Sequence, residues 1–191
     1  MSKIAIKGNE SGTATFTIEA PATNTNRVLE LPDEAGKILT DVGVPTSAMP
    51  AGSVIQVVQG TTSTIVTTTV QNTWVTTNLS QSITPLSTNS KILVLVQQNV
   101  VAFGNGDLQA NFGLFRDSTL VQGALSFDDL RVATINTSWA FRVSISYLDS
   151  PSTTSSVTYS TAISKRSTAV SNVNASSGGD PSSIILMEIA A

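Results

Sequence analysis

The sequence predicts an all-β protein: a C-terminal jelly-roll-like β-sandwich preceded by a small N-terminal β-hairpin or anchor segment. Three observations lead there. β-Branched residues dominate, with 19 Val, 14 Ile and 26 Thr among 191 residues, and such side chains suit pleated strands better than helices. Segments of period two recur along the chain, separated by turn residues. No window carries a 3.6-residue apolar period with caps, and residues 127–133 amount to one helical turn at most.

The N-terminal elements are short. Ile4 and Ile6 share one face of a strand at 3–7, and Ala14, Phe16 and Ile18 share a face at 13–19. Asn9-Glu10-Ser11-Gly12 between them is a turn, so the two predict a hairpin. A third alternation at 27–31 ends at Pro32, and Asp33-Glu34-Ala35-Gly36 turns into a fourth at 37–42. Four such strands bury little area, which predicts that the segment leans on a partner surface. Val44-Pro45-Thr46-Ser47-Ala48-Met49-Pro50-Ala51-Gly52 reads as an extended linker. Charge changes at the same place: ten charged residues lie in 1–50 and thirteen in 51–191. The expected division is therefore an N-terminal segment at 1–44, a Pro/Gly linker at 45–52 and a sandwich domain at 53–191.

The second part holds nine strand candidates: 53–59, 64–69, 73–77, 81–84, 91–101, 109–116, 134–148, 155–164 and 183–189. Phe141 to Tyr147 alternates strictly, which implies one buried and one wet face. Residues 91–96 run apolar without a break, as a strand covered on both faces does. Candidate loops fall at 103–108, 117–123, 149–155 and 174–182. Many short strands with short turns predict a sandwich. Ser and Thr take the places that Lys and Glu normally hold on wet strands. A stretch such as Thr61 to Thr69 makes a sticky edge if left free, so self-association is expected.

Composition excludes much chemistry. The chain has no Cys and no His, which removes thiolate nucleophiles, Cys-ligated metal sites and the commonest general base. Ten Lys and Arg are scattered and the net charge is −3, which is no footprint for nucleic acid. Met1 to Gly8 lacks the apolar core of a signal peptide, and the longest aliphatic run, Ile92 to Val96, is far short of a span of ~20 residues. No membrane partner is expected.

Individual residues add little. Asp128-Asp129 is a Ca²⁺ candidate only if a third carboxylate joins it; a solvated turn beside Arg131 is the simpler reading. Asp107, in Gly104-Asn105-Gly106-Asp107, reads as a hairpin turn. Seven acids in 51–191 give no sign of the paired carboxylates of a glycosidase. Lys91 and Lys165-Arg166 read as solvated charge, and no nucleophile-elbow or phosphate-cradling motif occurs. Trp74 and Trp139 read as core or intersubunit packing rather than a sugar platform. Phe103, Phe112, Phe115, Phe141 and Tyr147 are further core candidates. No catalytic, cofactor or metal residue is expected.

A resemblance sharpens this outline. Ser11-Gly12-Thr13-Ala14-Thr15-Phe16-Thr17-Ile18-Glu19-Ala20-Pro21-Ala22, then Arg27-Val28-Leu29-Glu30-Leu31-Pro32 and Gly36-Lys37-Ile38-Leu39-Thr40-Asp41-Val42-Gly43, resembles a module of tailed-bacteriophage fibre and other virion proteins. The segments 53–60 and 83–94, Phe115-Arg116-Asp117 and Ile184 to Ile189 are similar to structural modules of the same kind, especially from phages of aquatic bacteria. The resemblance implies a homotrimeric virion component without enzyme activity or cofactor. Its N-terminal segment docks on major capsid or tail proteins, with Phe16, Ile18, Leu29 and Leu31 as candidate docking residues. The sandwich projects outward; the resemblance does not choose between head and tail, and the short, aromatic-poor chain favours a capsid decoration or head fibre. The alternative it implies is a tail-fibre or tail-tip protein whose loops contact host surface glycan.

Overall fold

The structure is a computed structural model that describes residue 11 and residues 49–126, 132–176, 179 and 181–191. The four N-terminal strands, linker residues 45–48, the docking candidates Phe16, Ile18, Leu29 and Leu31, and Asp128-Asp129 lie outside the described residues.

Among the described residues there are ten strands and no helix: β1 (Val54–Thr62), β2 (Val66–Thr68), β3 (Val75–Ile83), β4 (Lys91–Leu108), β5 (Ala110–Arg116), β6 (Thr119–Ser126), β7 (Val132–Asp149), β8 (Val157–Lys165), β9 (Val170–Ala175) and β10 (Ser182–Ile189). They form two sheets. One runs β1-β10-β4-β9-β2, with β7 on the other side of β4; the second runs β3-β8-β5-β6. β4 is long enough to pair with β10 through Lys91 to Gln97 and with β9 through Val100 to Gly104.

The pairing is nested. β5 pairs with β6, β4 with β7, β3 with β8 and β1 with β10, each antiparallel. That is one long hairpin rolled up so that alternate pairs fall in opposite sheets, the winding of a jelly roll. β2 and β9 are an added pair at one end. At the hairpin tip, Asp117 takes a left-handed φ of 52°, which a short polar side chain tolerates. Its Oδ1 accepts from the Thr158 amide at 3.0 Å, and its own amide donates to the Thr158 carbonyl at 2.7 Å. The tip is thereby clamped to β8.

Period two places the core between the sheets. Ile92, Val94 and Val96 of β4 and Ile184 and Leu186 of β10 face Leu79, Phe112, Leu114, Tyr159 and Ile163 from the second sheet, all fully buried. Each large apolar side chain removed from water contributes roughly 1.5–3 kcal/mol. Where the edges of β1 and β3 meet, a Cβ on Gly60 would lie 2.6 Å from the Ser80 carbonyl oxygen, so only glycine allows that approach.

Several expectations need correction. The 73–77 and 81–84 candidates are one strand, β3; Asn78 at φ 60° bulges it, with a register shift between Thr76 and Ser80. Gly104 to Asp107 is no hairpin turn, and 103–108 is no loop, because β4 continues to Leu108. Gly104 instead lets the backbone press against Ala169 and Val170, and a register shift follows at Gly106. The 117–123 loop is mostly β6, and the 174–182 loop begins within β9. Thr61 to Thr69 is split between β1 and β2, and Thr68 is buried. Of the linker, Gly52 donates to the Ala190 carbonyl at 2.7 Å and Ser53 to that of Pro50 at 3.1 Å, so its last residues are tied to the end of β10 rather than extended. The run at 91–96 is fully buried on one face only; Leu93 and Leu95, on the other, are half-buried.

Candidate functional site

The carboxylates are where chemistry would start, and four of them are described. Asp107 Oδ2 accepts from Gln109 Nε2 at 3.0 Å, and Asp117 caps the hairpin tip. The other two belong to one row of the inner face, because β4 pairs Ile92 with Glu188 on one side and Asp149 on the other. Gln56 of β1 continues that row beyond Glu188.

Asp149 sits against the second sheet. Its Oδ2 accepts from Arg116 Nη1 at 2.7 Å and from the Tyr159 hydroxyl at 2.6 Å. The Asp149 side chain is 8% exposed and that of Arg116 27%. Burial pushes the Tyr159 phenol well above its ordinary range, and the bond to Asp149 adds to the rise. Burial pulls the Arg116 guanidinium down, yet the hydrogen bond and charge of Asp149 outweigh it and raise it.

Glu188 is fully buried and has only neutral donors: the Gln56 side-chain amide on Oε2 and the Leu86 backbone amide, at 2.8 Å, on Oε1. It fastens the connection after β3 to the inside of β10.

Two strand spacings put Asp149 and Glu188 about 10 Å apart, near the span of a glycosidase pair. Ile92 stands between them with no exposure, so the interval is filled by hydrocarbon and holds neither water nor sugar. The two acids act as structural ties.

A second polar cluster crosses the core. Gln98 Oε1 accepts from Thr161 Oγ1 at 2.7 Å and from Thr77 Oγ1 at 3.3 Å, while its Nε2 donates to Ser176 Oγ at 3.3 Å. Thr77 Oγ1 and Thr161 Oγ1 also lie in contact, so their two protons are shared among three contacts, and Ser176 Oγ lies 3.1 Å from Ser182 Oγ. These groups are all buried, and mutual satisfaction offsets their desolvation.

No cluster of three or more acids, His or Cys is placed to hold a metal among the described residues. An open cleft of about 660 Å³ is lined by Phe103, Gly104, Asn105, Ser138, Thr168, Ala169 and Ser171. A smaller one, about 320 Å³, lies beside Met49, Ile55, Leu86 and Ser90. Neither carries a titratable side chain.

Of the aromatic candidates, Phe112 is core, Tyr147 packs on its edge, and Phe103 is half-buried. Trp74 meets Phe115 edge to face at 5.6 Å. Trp139 is 40% exposed, so it is not core within this chain; Phe141 lies in β7, and its side chain is outside those described. Sequence reasoning missed Gln98, Glu188, Asp149 and Tyr159. For Glu188 the signal was present, since it shares the parity of Ile184 and Leu186.

Fold and interior together define a jelly-roll β-sandwich held by buried polar ties. No protein-family model matches the chain, and no curated protein matches it. Among solved structures it is similar to one of the Gx strain of infectious bursal disease virus, at 17% identity over 73% of this chain and 39% of that one, TM-score 0.35. It is also similar to the T13 IBDV viral particle, at 12% identity over 73% and 36%, TM-score 0.36. A third is the VP2 subviral particle of infectious bursal disease virus, at 18% identity over 73% and 38%, TM-score 0.32. The chain spans well under half the length of these proteins.

Proposed function

We propose that this chain is a non-enzymatic structural protein of a tailed-phage virion. Residues 1–44 dock it on major capsid or tail proteins, with Phe16, Ile18, Leu29 and Leu31 in the contact, and the jelly roll projects as a homotrimeric decoration or head fibre. The observation that carries this reading is order along the chain. The module ending Leu31-Pro32-Asp33-Glu34-Ala35-Gly36-Lys37-Ile38-Leu39-Thr40-Asp41 precedes a jelly roll whose four described carboxylates all serve as internal ties. Its action is mechanical: it adds mass and contacts to a particle. The test is incorporation. Full-length tagged chain is expected to co-sediment with particles and to appear as density on the head, while a chain lacking residues 1–50 stays in the supernatant. Equal incorporation of the truncated chain overturns the docking assignment.

The second reading, a receptor-binding protein, has one observation in its favour. The 660 Å³ cleft offers Phe103 beside the hydroxyls of Ser138 and Ser171 and the amide of Asn105, neutral groups of the kind that bind sugars. A glycan array decides it; no binding at high protein concentration removes this reading.

A further inference from the structure

Directly behind the carboxylate row, the same four strands carry Val57, Met187, Leu93 and Leu148 side by side on the outer surface. Val57 is 54% exposed and Leu148 51%, while Met187 and Leu93 between them are half-buried. Ile185 and Leu95 extend the patch one row further, and Val54 and Ile189 lie on the other side. Beyond Ile185 and Leu95 the face turns polar, at Gln97 and Ser144. The remaining exposed apolar side chains, such as Ile65 and Leu120, stand elsewhere. Among the described residues, this patch is the place where they gather across four paired strands.

Size and charge point to what covers it. Strands lie ~4.8 Å apart and same-face residues ~6.8 Å apart, so three rows on four strands span roughly 400 Å² in plan; the middle row is apolar on all four strands, whereas Gln59 and Ser146 flank Ile185 and Leu95, and Lys91 follows Ile189. The apolar part lies within the few hundred Å² that a monomer exposes, so its continuity across four strands and its polar rim, rather than its extent, favour a contact surface. With the adjoining polar row, two such faces remove roughly 1,000 Å² from water, the level at which specific interfaces begin. Lys91 is the one ionised side chain in these rows, at one end of the patch. A charged partner therefore finds almost nothing to pair with, whereas an identical face finds its own chemistry. A twofold axis through the patch sets each Lys91 over the polar row of the other copy and keeps the two lysines apart.

We propose that a second copy of this chain packs face to face on this surface. The contact is isologous and joins copies two by two, so it is separate from a threefold seam. It adds a surface to the self-association in the reading above, and its test involves no particle.

The experiment is sedimentation analysis of the full-length chain with Val57→Asp and Leu148→Asp. Ser80→Lys, exposed on the other sheet, is the control. Both aspartates replace exposed side chains, and circular dichroism checks that the fold is kept. The wild type is expected to be an even-numbered oligomer, with each aspartate variant halving its mass and the control leaving it unchanged. A trimeric wild type overturns this contact but keeps the homotrimer. A monomeric wild type at micromolar concentration overturns both. An even-numbered wild type whose mass neither aspartate changes places the contact elsewhere and overturns the assignment of this face.

Discussion

The inner and outer rows of the same four strands reverse the usual order. Inside, Gln56, Glu188, Ile92 and Asp149 place three polar side chains, two of them acids, beside one hydrocarbon. Outside, Val57, Met187, Leu93 and Leu148 place none. Buried acids need partners, and these have them. Exposed hydrocarbon has no such remedy within the chain. The inner row therefore shows how the domain holds itself together, and the outer row is the surface proposed to meet a second copy.

The inner row breaks most severely at Asp149. Asp149→Ala leaves Arg116 and Tyr159 without their acceptor. Breaking a buried pair costs ~3–5 kcal/mol, and partial exposure of Arg116 reduces this to about 2–4, read from the urea midpoint. At Glu188, alanine strands the Leu86 amide and leaves Gln56 with the Thr84 carbonyl alone, and is expected to cost about 2–3 kcal/mol. Glu188→Gln keeps one oxygen for the Leu86 amide but turns an NH2 toward Gln56, whose own amide also donates to the Thr84 carbonyl at 2.8 Å and so cannot turn round without losing that bond; its cost is expected at about 1–2 kcal/mol. Equal costs for the two Glu188 substitutions mean that the charge itself is used.

Tyr159→Phe removes one hydrogen bond and costs about 1–2 kcal/mol at neutral pH. The Tyr159 phenol is raised in the fold above its unfolded value of 10.0. Its stabilising contribution is therefore complete below pH 10 and declines as pH rises beyond it. Tyr159→Phe is expected to flatten that alkaline decline in a pH series of thermal unfolding. The outer row gives the smallest effect on the isolated fold: Leu148→Thr stays within ~0.5 kcal/mol at dilution. A larger loss there means that Leu148 already packs within its own chain.

The sequence exposed the alternating strands well, because in a charge-poor chain little besides a pleated strand produces period two. β7 and β10 could be read almost to the residue. β9 could not: Val170-Ser171-Asn172-Val173-Asn174-Ala175 has weak strand propensity and is held by pairing with β4, some seventy positions earlier. β6 contains a glycine and follows a turn, so it looked like more loop. The carboxylate row was hidden for another reason. Its members come from four separate strands, and only register brings them into line. The run at 91–96 announced cover on both faces, yet a single sequence says nothing about who supplies the second cover.

The nested pairing also sets a schedule for synthesis. Val54 pairs with Ile189, so β1 waits for a partner 135 positions later (189 − 54). At ~5–20 residues per second that wait lasts roughly 7–27 s. β10 occupies the place between β1 and β4, so until it emerges both strands show the ribosome's surroundings an unpaired flank. The domain closes only when its last strand arrives, which makes the interval before that arrival the period in which a chaperone, or a neighbouring nascent copy, has most to bind.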